Sequence, residues 1–166
     1  GLGRRSGASM GEQCMNKEDL LVANVKGVYD EIVWLNKPVM EARLKGYTST
    51  EIHCIEAIEK SVHPNVSQLA QTLFMTRGAI SKLTKKLIQK DAIVTYKNPD
   101  NKKEVYFKLT DKGRIAFDTH EQLHKEFKEC DAQVFDAMTD DQYKAMMTFL
   151  NQYNAHLDKE INDKEN

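Results

Sequence analysis

The stretch VSQLAQTLFMTRGAISKLTKKLIQKDAIVTYKNPDNKKEVYFKLT, Val66 to Thr110, decides how this chain folds. It reads as helix, tight turn, basic helix, strand, basic loop, strand. Ser67 to Leu73 forms a short helix with Leu69, Ala70 and Leu73 inward, and Phe74 and Met75 cover the turn. Thr76 begins a second helix, because its hydroxyl can accept from the free N–H groups two or three residues on. That helix, Arg77 to Lys90, places Ile80, Leu83, Leu87 and Ile88 on one face at helical spacing. Arg77, Gly78, Ser81, Lys82 and Lys85 are left outward. Gly78 and Ala79 are small, so the backbone at this end can approach a groove floor.

A hairpin follows. Ile93 to Tyr96 is rich in β-formers, and Val105 to Leu109 alternates, with Val105, Phe107 and Leu109 expected on one face. Between them Lys97-Asn98-Pro99-Asp100-Asn101-Lys102-Lys103 has turn chemistry and a basic tip. From Arg77 to Lys103 there are eight Lys or Arg against two acids, whereas the whole chain is at −1. One concentrated basic stripe on a near-neutral protein is the electrostatic footprint of a nucleic-acid binder. Helix, turn, capped basic helix and hairpin in this order predict a winged helix-turn-helix that binds double-stranded DNA. A winged-helix module that contacts a partner protein with the same surface is the alternative.

The chain has 166 residues, 40% hydrophobic and 30% charged, which fits one domain with long exposed helices. No run of eighteen apolar residues is present, so no membrane span is expected. Three widely spaced cysteines, Cys14, Cys54 and Cys130, give no disulfide framework and fit a reducing cytoplasm. No CxxC pair, Walker loop or GxGxxG is found, and no Ser/His/Asp arrangement declares itself; the chain does not read as an enzyme.

Outside the central module, Lys17 to Leu35 is a predicted helix striped by Leu21, Val25, Val28, Ile32 and Leu35, with Pro38 expected to end or kink it. Thr48 to Lys60 is another, with Ile52, Ile55 and Ile58 inward. Asp111 to Met138 is expected as one long helix. Thr139-Asp140-Asp141-Gln142 has the capping pattern that starts a last helix, carrying Tyr143, Met146, Met147, Leu150, Tyr153, Leu157 and Ile161. A winged module of roughly sixty residues cannot cover these outer apolar stripes, so a second copy of the chain is expected to bury them. The expected fold is mostly α with a small β-hairpin wing: a winged helix-turn-helix at 47–110 and a helical dimerisation region at 15–46 and 111–166. Residues 1–14 read as an expression remnant or disordered arm, with Met10 or Met15 as the native start.

Leu69-Ala70 with Leu73, Ile80-Ser81-Lys82, Leu87, the Asn98–Lys103 hairpin and Leu109-Thr110-Asp111-Lys112-Gly113 together resemble the MarR family of homodimeric winged-helix repressors that sense a small effector. The resemblance spans Lys17 to Ile161. It implies that Thr76, Arg77, Gly78, Ser81, Lys82 and Lys85 approach DNA in the major groove, and that Lys102 and Lys103 on the wing reach the minor groove. Two positions depart from the family. Asp91 stands where Gly usually ends the DNA-reading helix, a place that favours the left-handed conformation. Asn101 and Lys103 replace an Asp-x-Arg pair, and Lys lacks the planar fork of Arg, which favours phosphate contact.

His120 and His124 lie four apart on one helix, workable spacing for two ligands on one metal. With His53 they resemble the zinc-responsive branch of that family, and Glu41 is the candidate fourth ligand. The competing reading is an organic effector in a pocket lined by Trp34, Tyr47 and Phe117. A third sensor reading, through the thiol of Cys14, lacks any visible group that would lower its pKa.

Overall fold

The computed structural model describes residues 16–165. Along the chain they form α1 (Lys17–Arg43), α2 (Ser49–Lys60), α3 (Val66–Leu73), α4 (Arg77–Gln89), β1 (Ile93–Asn98), β2 (Asn101–Leu109), α5 (Asp111–Cys130), α6 (Ala132–Asp136) and α7 (Asp140–Glu165). The expected remnant and Cys14 lie outside the described residues. The chain divides into two compact units, one through Leu123 and one from His124.

The core of the first unit comes from α2, α3, α4, the hairpin and the start of α5. Ile55, Leu69, Ile80, Leu87, Ile93 and Leu123 are its most completely buried large side chains. Caps written in the sequence set the helix starts. Asn65 Oδ1 accepts from Gln68 N at 2.8 Å, and Thr76 Oγ1 accepts from Ala79 N at 3.1 Å. Thr48 and Glu51 form a reciprocal box, with Thr48 N donating to Glu51 Oε1 at 2.8 Å and Glu51 N to Thr48 Oγ1 at 3.1 Å. Phe74 closes α3 in the left-handed conformation, φ 53°.

Several sequence expectations need correction. Helix α1 does not stop before Pro38 but runs through it to Arg43; proline removes one intrahelical bond, a local cost that the turns on either side absorb. On α4, Ile88 is 42% exposed, and Thr84 takes the buried place instead. Ile88 lies eight residues from Ile80 and falls on the rim of the stripe. Thr84 can be buried because its hydroxyl donates to the Ile80 carbonyl at 2.9 Å.

The hairpin is longer and its turn tighter than the basic loop suggested. Strand pairing runs from Ile93 with Leu109 out to Asn98 with Asn101, so Lys102 and Lys103 are strand residues beside the tip. Asn98 Oδ1 accepts from Asp100 N at 3.0 Å and folds the Pro99-Asp100 turn. Strict alternation fails in β2: Val105 is 40% exposed, while Tyr106 and Phe107 are both buried. Tyr106 is covered by the rings of His63 and Tyr96, at 5.5 and 5.6 Å between centroids. Phe107 donates its N–H to the Pro64 carbonyl at 3.0 Å. Helix α5 ends at Cys130, where the Asp131 N–H is shared between the carbonyls of Phe127 and Lys128. The short α6 therefore replaces the last part of the expected long helix. Thr139 and Gln142 then make the expected cap of α7, with Gln142 N donating to Thr139 Oγ1 at 3.1 Å and Thr139 N to Gln142 Oε1 at 2.9 Å.

No residue of α1 is buried, and its stripe is open: Leu21 is 45% and Val28 60% exposed. In the second unit, Tyr143, Met146, Leu150, Tyr153 and Leu157 of α7 are likewise exposed.

The junction of α4, wing and α5 gathers on one carbonyl. Asp91, at φ 60°, turns the chain out of α4 in the left-handed conformation expected there. The carbonyl of the next residue, Ala92, accepts from Thr110 N at 3.0 Å. Thr110 Oγ1 donates to Asp91 O at 2.6 Å and accepts from Gly113 N at 3.1 Å, which caps α5. Gly113 passes so close that a Cβ there would lie 2.0 Å from the Ala92 oxygen. Because the obstacle is backbone, Gly113→Ala is expected to lower unfolding free energy by about 1–3 kcal/mol, read as the urea midpoint; an unchanged midpoint would contradict the packing described.

Candidate nucleic-acid interface

The outward face of α4 keeps its expected composition. Thr76, Arg77, Gly78, Ser81, Lys82 and Lys85 are all exposed, and so is Lys86. Thr76 is held by its capping bond. Arg77 donates through its guanidinium to the Ser67 hydroxyl, which ties the start of α4 to the first turn of α3. A Cβ at Gly78 would meet nothing within 4 Å. The fold therefore does not require glycine there, although glycine in a helix costs up to about 1 kcal/mol relative to alanine. The open space points outward, where another molecule can come close. Lys102 and Lys103 are exposed beside the hairpin tip. Lys108 lies over the Tyr96 ring at 5.8 Å, and His63 Nδ1 and Tyr96 Oη are 3.2 Å apart. These contacts stiffen the base of the wing.

The histidines meet an acid, but not the expected one. His120 is buried in the first unit, and its Nδ1 lies 3.3 Å from Glu56 Oε2. The exposed His53 ring has its centroid 6.4 Å from that of His120. His124 is exposed, one helical turn further along α5. Glu41 sits on exposed α1 with its carboxylate 3.9 Å from Lys37 Nζ. The carboxylate beside His120 is thus Glu56, which sequence reasoning missed; its three-residue spacing from His53 on α2 was the available signal. The same α2–α5 contact carries Arg114 bidentate on Glu59, at 2.5 and 2.8 Å. Lys60 lies between Glu56 (3.0 Å) and Glu121 (3.5 Å).

The three expected effector residues have different surroundings. Trp34 is 78% exposed and lines an open pocket with Asp30, Glu31 and Leu35. Neither Tyr47 nor Phe117 lines that pocket. Phe117 is half-buried under the Arg114 guanidinium, 5.9 Å from its ring centre. Tyr47 is half-buried, and its hydroxyl is a buried atom with no hydrogen-bond partner among the described residues. Burial pushes the Tyr47 phenol above its ordinary pKa, only partly offset by Lys90.

Beside Tyr47 lies an ion pair that the sequence reading passed over. The side chain of Glu51 is buried within the first turn of α2. Its Oε1 accepts from Lys90 Nζ at 2.7 Å as well as from Thr48 N. Burial pushes the Glu51 carboxyl up, but the bonds from Lys90 and Thr48 outweigh it and hold the pKa below the usual glutamate value. Cys54, fully buried on the same helix, is pushed up to about 12 by burial and so stays a thiol.

A family model described as the MarR family matches residues 47–105. The HTH-type transcriptional regulator PchR of Bacillus subtilis is 39% identical over 114 residues, covering 69% of this chain and 68% of that protein. Among solved structures, Streptococcus pneumoniae FabT in complex with DNA superposes with a TM-score of 0.74 at 21% identity, covering 86% of this chain and 99% of that one. Staphylococcus aureus MarR in complex with salicylate and kanamycin gives 0.70 at 17% identity, covering 86% and 93%. The two structural likenesses establish the fold.

Glu51 makes stability depend on pH with a definite sign. Its folded pKa lies below the ordinary 4.5, so ionised Glu51 stabilises the fold fully above that value. The contribution is lost as pH falls through the depressed folded pKa. Glu51→Gln is therefore expected to melt lower than wild type at neutral pH, with the gap closing as pH falls below 4.5. A gap that stays constant or widens on acidification would contradict the assignment.

Proposed function

The chain belongs to the MarR family of transcriptional regulators, and from that premise we propose that it is a homodimeric repressor that reads a pseudo-palindromic duplex operator. The observation that carries this reading is the outward face of α4, with small residues at its start, cations along it, and open space over Gly78. Ser81 and Lys82 read base edges in the major groove. Thr76, Arg77 and Lys85 hold phosphates around them, and Gly78 lets the backbone approach. Lys102 and Lys103 carry the wing to the neighbouring phosphates. The open apolar stripes of α1 and α7 support dimerisation with a second copy. Repression follows from occupancy, since a dimer seated on an operator excludes other proteins from the same duplex. The site of action is the cytoplasm, where the DNA is.

Zinc is the effector that the histidines support. Glu56 and His120 approach each other in the first unit. The register of α5 offers His124 one turn on, and His53 stands beside His120. Two or three imidazoles and a carboxylate form a donor set suited to a tetrahedral zinc ion. Such an ion would tie α2 to α5 and so bias the placement of the DNA-reading elements. A second reading has its own support: the buried, partnerless hydroxyl of Tyr47 is a polar group that an organic effector could satisfy.

Lys103→Ala is expected to weaken binding to all duplexes about equally and to lower the slope of log affinity against log salt by about 1 to 2 per dimer. Lys82→Ala is expected to change which sequences are preferred. If Lys103→Ala left both affinity and slope unchanged, the hairpin would not be a working wing.

Zinc titration of the purified protein is expected to show a site that His120→Ala removes while DNA binding without metal persists. Metal and DNA affinities should shift by the same factor, about 5- to 150-fold, because coupling between two ligands is reciprocal. A metal response surviving in His120→Ala would contradict the zinc reading and leave the organic effector.

A further inference from the structure

Lys90 belongs to the basic run from Arg77 to Lys103, where the sequence counts it as one more cation. Its surroundings give it another task. It is the residue that closes α4 at the C-terminal end. Its Nζ donates to the Gly46 carbonyl and to Glu51 Oε1, each at 2.7 Å, and lies 5.8 Å from the centre of the Tyr47 ring. Two of the three ammonium donors are therefore committed to the segment that leads into α2, and the charge neutralises a buried carboxylate. Arg77 is at the opposite end of α4, about 20 Å away along a helix of this length. The exposed cationic face that meets DNA begins there.

We propose that Lys90 is a positioning residue for DNA reading: it latches the C-terminal end of α4 to the first turn of α2 and so sets the angle at which α4 enters the groove. This rests on the DNA-binding reading of α4. The latch matters because, beyond the packing of Leu87, the hold on that end of α4 is a backbone turn. Asp91, in the left-handed conformation, and Ala92, against Thr110 and Gly113, join α4 to the wing and α5 but not to α2. The buried face of Ile80, Leu83, Thr84 and Leu87 keeps α4 packed without Lys90. Loss of the latch therefore lets the helix change its angle while staying folded. Base-edge contacts depend on that angle, whereas phosphate attraction tolerates a small rotation. The latch also joins α4 to the helix whose other end carries Glu56 and Glu59 against α5. A shift of α2 relative to α5 is thus passed directly to α4.

The test uses a duplex selected by the wild-type protein from a random-sequence pool, with a scrambled duplex of the same length as control. Affinities for both are measured across a salt series for wild type, Lys90→Met, Lys90→Arg and the double variant Glu51→Gln/Lys90→Met, together with thermal midpoints. Lys90→Met is expected to bind the selected duplex about tenfold more weakly, the scale of one lost base contact per protomer. Its affinity for the scrambled duplex and its salt slope should stay at wild-type values. Lys90→Arg should retain selectivity. The double variant, which has no lone buried carboxylate, should regain the midpoint lost in Lys90→Met but not the selectivity.

Three results overturn the proposal: unchanged selectivity in Lys90→Met; a salt slope reduced by about one per protomer, which makes Lys90 a phosphate contact; or selectivity that returns with the midpoint in the double variant, which makes its role one of stability alone. If the wild-type protein enriches no duplex from the pool, the DNA-binding reading itself fails, and the proposal with it.

Discussion

The carbonyl of Ala92 fixes the geometry of the first unit. It accepts the Thr110 N–H and has the Cα of Gly113 packed against it, so the end of α4, the foot of the hairpin and the start of α5 meet at one point. Asp91 must leave the helix in the left-handed conformation to present that carbonyl. With the foot fixed at Ile93 and Leu109, the register holds out to Tyr96 with Tyr106, and an irregularity follows before Asn98 pairs with Asn101. A slip of one residue would turn every side chain of a strand to the other face. The junction thus holds the foot of the hairpin against the end of α4.

Around that point the structure separates hydrophobic from ionic work. Apolar side chains of α2, α3, α4 and the hairpin form the core, while charged groups make the links from α2 to its neighbours: Glu51 to Lys90 of α4, and Glu56 and Glu59 to α5. Exposed ion pairs contribute little to stability, but buried or bidentate ones restrict geometry and respond to protonation or metal. Any signal that reaches α2 therefore meets elements already wired to α4, the helix proposed to read DNA. The open stripes of α1 and α7 are the surfaces on which the proposed pairing with a second copy rests.

Much of this was legible in the sequence because local chemistry and fold agree there. Thr76 and Thr139 cap the helices that they precede, and the Leu-Thr-x-x-Gly ending marks the Ala92 junction. The failures have physical causes. Tyr106 faces a small aromatic cluster instead of solvent, which alternation alone cannot reveal. Thr84 hides its hydroxyl by bonding one turn back, so a polar residue occupied a core position where Ile88 had been expected. The latch of Lys90 on Glu51 is not legible either, because a charge count carries no direction. Glu56 is not legible because its partner His120 lies far away in sequence, and nothing local distinguishes it from Glu41.

The central claim is that paired copies of α4 read two successive turns of duplex DNA. Hydroxyl-radical footprinting of the wild-type protein on a duplex that it selects tests this most directly. The account predicts two protected patches related by approximate two-fold symmetry, centred one helical turn apart or a multiple of it, about 10 base pairs each. A single protected patch, or protection that does not follow the helical repeat, would contradict it.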